Sequence, residues 1–176
     1  MAMANNRLVD RQTLGVAEAQ LARVARHGSA GHAFLTELAD AFERERLYVV
    51  RLTSAVGPLP STPGAAETES ALLAQRNAIE TLARSERRGC ALGAATAFVA
   101  DWRTVRRVLD RAAERVGIEL PAGVLPDDES IARIIDSASD GPASERALGF
   151  GGEQLLLQHR GLFDLLEARA AARADY

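Results

Sequence analysis

Glu45, Glu86 and His159 are the residues of this sequence whose type and position could do chemistry. Each falls on the apolar stripe of a predicted helix. In "FLTELADAFERERLYVVRLTSAV", Leu35, Leu38, Phe42, Val49, Leu52 and Val56 keep helical phase, and Glu45 occupies the gap between Phe42 and Val49. Glu86 falls between Ile79 and Leu82 on one side and Cys90 and Gly93 on the other. His159 shares a face with Leu148, Leu155, Leu162 and Leu166. An unpaired buried charge costs several kcal/mol, so such groups must meet one another, an arginine, water or a metal. Two carboxylates and an imidazole from three helices form a donor set suited to iron, manganese or zinc. The more economical alternative needs no cofactor. There Glu45 and Glu86 pair with arginines such as Arg76 or Arg84, and His159 hydrogen-bonds across the core, because intramolecular polar networks outnumber sites.

The elements that would position these groups are helices. A first is predicted from about Asp10 to Arg26, with Leu14, Ala17, Leu21 and Val24 inward. A second runs from about Gly31 to Val56 and stops at "GPLPSTPG", which reads as an exposed connection between antiparallel long helices. Residues 67–116 contain no proline and read as helical throughout. A straight helix of that length would span roughly 75 Å. Two apolar stripes in it, Leu72 to Ala97 and Phe98 to Val116, differ by about a quarter turn on a helical wheel. They place a break near Val99–Arg103, with Asp101 capping a restarted helix. A short helix at about Asp128–Ser139 begins with an acidic turn, and a last one covers about Pro142 to Ala174, interrupted at "GFGG". No strand pattern or repeat is present. The expected fold is an all-α bundle of about four long helices in one domain over residues 1–176, with residues 1–30 as a peripheral N-terminal helix.

Such a bundle is similar in shape to the ferritin-like proteins, whose di-iron sites use glutamates and two Glu-x-x-His motifs. Gly89 stands three residues after Glu86, and Leu156 three after Glu153, so the motif does not carry over. With His27, His32 and His159 as the only histidines, a metal site here would be reduced or mononuclear.

Gly89, Gly93 and Ala97, four apart in "RRGCALGAATAFVADW", form a shallow helix face suited to close packing against another helix, with a dimer seam or ligand cavity as the next readings. Cys90, in the same stretch, reads as a small apolar filler. The concentration of Arg103, Arg106, Arg107, Arg111 and Arg115 reads as a solvated, salt-bridged surface. The segment after "AAERVGI" holds two prolines and ends acidic, so no recognition helix follows. "GFGGEQ" has no preceding strand and no phosphate-binding partner.

Composition narrows the classes further. Hydrophobic residues make up 47% and charged residues 26% of 176, with aromatics only 5%, as in a folded chain of closely packed helices. The net charge of −3 offers no basic field for nucleic acid or an anionic membrane. All 21 basic residues are arginine, so Schiff-base and P-loop lysine chemistry is absent. One cysteine permits no internal disulfide. No run approaches the ~20 apolar residues of a membrane span, which points to a cytoplasmic protein.

Through "ERRGCALGAATAFVADW" and "ERALGFGGEQLLLQHRGLFDLLEARA" the chain resembles uncharacterised alanine- and arginine-rich helical proteins of α-proteobacteria, a resemblance that implies no activity. The expected function is therefore non-enzymatic, through self-association as a homodimer or through a protein partner. A ferritin-like metal or cofactor binder centred on Glu45, Glu86 and His159 is the alternative.

Overall fold

The computed structural model describes residues 29–57 and 65–174. They form five helices and no strand: α1 (Ser29–Val56), α2 (Ala65–Ala83), α3 (Cys90–Arg115), α4 (Asp128–Ala138) and α5 (Pro142–Ala174). The fold is an all-α bundle. No described helix is long and apolar enough to cross a membrane. The helix expected at Asp10–Arg26, His27, the side chain of His32 and most of the "GPLPSTPG" connection lie outside the described residues.

The long 67–116 segment breaks, but not at Val99–Arg103. Helix α2 ends at Ala83, a turn occupies 84–89, and α3 then runs unbroken through Asp101 to Arg115. Gly89 makes the turn possible: its φ of +97° lies in the left-handed region that other residues rarely adopt. The far end of α3 closes in a Schellman arrangement. Gly117, at φ +70°, lets the Ile118 N–H donate to the Ala113 carbonyl at 2.9 Å. Helix α4 begins where the Asp127 side chain accepts from the Ser130 N–H at 2.8 Å. That interaction, through the Ser130 hydroxyl and backbone N–H, holds the Asp127 carboxyl below its ordinary pKa.

Helix α5 is continuous across "GFGG", contrary to the interruption expected there. Its glycines serve a close crossing with α3. A Cβ on Gly93 would stand 2.0 Å from the Leu148 carbonyl oxygen, and one on Gly151 would stand 2.0 Å from the Cys90 carbonyl oxygen. The two backbones therefore touch with no side chain between them. Gly89 and Ala97 continue the seam: a Cβ on Gly89 would lie 3.1 Å from Leu148 Cγ, and one on Gly152 would lie 3.6 Å from Ala97 Cβ.

Helix α3 is the hub, packing against the other four helices. One side of it, through Leu92, Ala95 and Val99, meets Phe34, Leu35, Leu38 and Phe42 of α1 and Ile131 and Ile134 of α4. The other side, through Cys90 and Ala94, meets Leu82 of α2 and Ala147 and Leu155 of α5. Helix α1 packs on α3 and α4 but not closely on both α2 and α5.

Candidate functional site

The structure separates the three residues singled out by the sequence. Glu45 is buried, 2% exposed, on α1. Its partner is Arg106 on α3, at 2.6 Å, rather than Arg76 or Arg84, which both pair with Glu80. The second Glu45 oxygen accepts from Trp102 Nε1 at 3.0 Å. Arg106 also donates to Asp110 at 2.7 Å and to the Pro121 carbonyl at 2.6 Å, fastening the α3–α4 loop. Its guanidinium sits 4.3 Å over the ring of Tyr48, whose hydroxyl donates to Asp110 at 2.8 Å. Burial and the Asp110 hydrogen bond push the Tyr48 hydroxyl up to about 12. Burial pulls the Arg106 pKa down, but Asp110 and Glu45 more than compensate and leave it raised. Arg106 thus belongs to the interior and not to the solvated arginine surface expected for 103–115.

Glu86 corrects the sequence reading. It lies in the turn between α2 and α3, exposed, because the helix on which it would have faced inward has already ended. His159 is buried, 7% exposed, on α5, and its Nδ1 lies 2.5 Å from Asp101 Oδ2 on α3. Asp101, expected as a cap, instead sits mid-helix and orients this imidazole. Among the described residues no group of three or more histidine, cysteine, aspartate and glutamate side chains gathers where it could hold a metal ion.

What His159 does border is a partly open cavity of about 270 Å³ between α1, α2, α3 and α5. Its walls are apolar: Leu35 and Leu38 from α1, Leu72 and Ile79 from α2, Ala94 and Ala95 from α3, Leu155 and Leu162 from α5. The half-exposed Phe163 and Leu166 continue the lining toward the surface.

The aromatic residues, scarce in the chain as a whole, concentrate here. Phe42 and Phe98 have ring centroids 4.8 Å apart, Phe42 meets Trp102 edge-on at 5.8 Å, and Phe98 and Phe163 each present an edge-to-face contact to His159 at 5.4 and 6.3 Å. Trp102 joins the two arrangements, its N–H spent on Glu45 and its ring on the cavity wall. No serine, threonine or cysteine is among the described residues that line the cavity. Sequence periodicity identified His159 as inward but held no signal for its pairing with Asp101, 58 positions away.

Fold and site together define an all-α bundle with an aromatic-walled, partly open cavity bordered by a histidine–aspartate pair. The chain belongs to DUF6975, a family of unknown function whose model matches residues 8–174. No curated protein and no solved structure matches it.

Proposed function

We propose that the chain is a single-domain helical bundle that binds a small apolar or aromatic molecule in the cavity between α1, α2, α3 and α5. The observation that carries this reading is the union of about 270 Å³ of apolar space with one deeply buried imidazole on its wall. Small-molecule sites combine apolar walls with a few polar groups in this way. An apolar cavity of about 150 Å³ already accommodates benzene, so one or two fused rings suit the space.

Trp102 is the sole tryptophan and lines the cavity, which makes the test direct. Toluene and naphthalene titrated into the full chain are expected to change Trp102 emission and to raise the melting temperature with ligand concentration. Ala39→Phe, which fills part of the lining, should suppress both. Unchanged emission and melting temperature up to the solubility of both probes would overturn the reading.

A second reading, self-association as a homodimer, is supported by exposed apolar side chains away from the cavity lining. Phe150 and Leu157, seven residues apart on α5, are 39% and 57% exposed, and Val108 on α3 is 65% exposed. Light scattering giving a dimer mass that Leu157→Glu converts to monomer mass would establish it; a monomer mass across concentrations would remove it. A cytoplasmic location fits either reading, with Cys90 as a free, buried thiol.

A further inference from the structure

His159 lines the cavity, and in its neutral form one ring nitrogen is a hydrogen-bond acceptor. A carboxylate accepts hydrogen bonds and does not donate them, so in the neutral ring the proton resides on Nδ1, facing Asp101 Oδ2 at 2.5 Å. Nε2 then carries a lone pair, and it has no protein partner among the described residues. The imidazole is more than nine-tenths buried and is held in orientation by T-shaped contacts with the rings of Phe98 and Phe163 as well as by Asp101. The other polar groups of the lining are otherwise engaged or less buried: Arg76 and Glu80 pair with each other at 2.9 Å on α2, and Gln75 is partly exposed. A buried acceptor left without a donor is costly, so an occupant that supplies an O–H gains over one that does not.

We infer that the cavity selects ring compounds bearing a hydroxyl, that is phenols, the ligand O–H donating to His159 Nε2. The inference rests on the binding reading above and adds the polarity of the ligand's one polar group.

Isothermal titration of the full chain in mildly alkaline solution tests it with three probes of nearly equal shape: p-cresol, p-xylene and p-tolualdehyde. The first offers a donor, the second neither donor nor acceptor, the third an acceptor. The expected result is p-cresol binding about tenfold tighter than either of the others. Two variants check the cause. Asp101→Asn removes the carboxylate that fixes the proton on Nδ1 and should narrow the preference for p-cresol at least threefold. His159→Phe keeps a ring in the wall and should reverse the order, with p-xylene now tighter than p-cresol. Equal binding of all three probes to the wild-type protein would overturn the inference while leaving the cavity a binding site. Binding of none would overturn the binding reading and the inference with it.

Discussion

Glu45 and Arg106, 61 residues apart in the chain, form a 2.6 Å ion pair whose side chains are only 3% and 11% exposed. The carboxylate replaces a leucine-like position in the α1 seam, and the guanidinium distributes its donors to α1, α3 and the loop before α4. Removing one member of a buried pair leaves the other desolvated. Glu45→Gln should therefore lower stability by about 2–4 kcal/mol, less than the full cost of an orphaned charge because Arg106 keeps Asp110. Glu45→Met with Arg106→Met should cost less than the two single changes together, measured in a denaturant double-mutant cycle. Strict additivity would mean the pair is not coupled.

The α3–α5 seam predicts opposite signs for chemically identical substitutions. Gly93→Ala and Gly151→Ala each drive a methyl into a backbone carbonyl at 2.0 Å and should cost about 3 kcal/mol or more. Gly149→Ala and Gly161→Ala meet nothing within 4 Å on the same helix and should stabilise by about 0.5–1 kcal/mol, as alanine does in a helix interior. Urea midpoints of the four variants decide the matter, and a uniform response would contradict the crossing geometry.

Alkali should destabilise the fold through Tyr48. Its hydroxyl ionises near 12 in the folded state against 10 ordinarily, so the unfolded chain loses its proton first. The stabilisation is fully present below pH 10 and disappears as pH rises toward 12. The magnitude is about 2–3 kcal/mol for a shift of this size. Tyr48→Phe should show a shallower alkaline decline in melting temperature than the wild type, and identical slopes would refute the assignment.

Cys90, fully buried beside the seam, should resist thiol reagents in the native state. Labelling is expected on the order of a thousandfold more slowly than for a free thiol, and to accelerate in Gly151→Ala. Rapid labelling of the wild type would indicate that α3 and α5 part without global unfolding.

Much of the architecture could be read from periodicity and punctuation. The bounds of α1, α4 and α5 follow from apolar phase, the acidic turn at Asp128 and Glu129, and the prolines and glycines at their ends. The misplaced break has a physical reason. The two apolar stripes in 67–116 imply a break between them only if each helix buries one face, whereas α3 packs on two sides, against α1 and α4 and against α2 and α5. The true break at 84–89 contains no proline and is rich in helix-favouring arginine and glutamate, so only Ser85 and Gly89 signal it. Glycine in "GFGG" fits an interruption or a close approach equally well by itself, and the approach depends on Cys90 and Gly93, far away in the sequence. Glu45 and His159 were legible as inward residues. Their partners Arg106 and Asp101 were not, because local spacing says nothing about which distant group completes a buried charge.

One wall of the cavity is attached differently from the others. Helices α3 and α5 meet backbone to backbone, leaving no side-chain rotamers that could relax, whereas α1 reaches α3 through long side chains such as those of Glu45, Arg106 and Tyr48. The cavity is thus bounded on one side by a backbone-to-backbone seam and on another by a helix held through side chains, Phe34, Leu35, Leu38 and Phe42 as well as Glu45 and Tyr48. On the binding reading, an occupant larger than the resting space would be accommodated by displacement of α1, at the expense of side-chain torsions rather than of the glycine seam. Hydrogen exchange would then read the difference as slow amides along α3 and α5 and faster ones along α1.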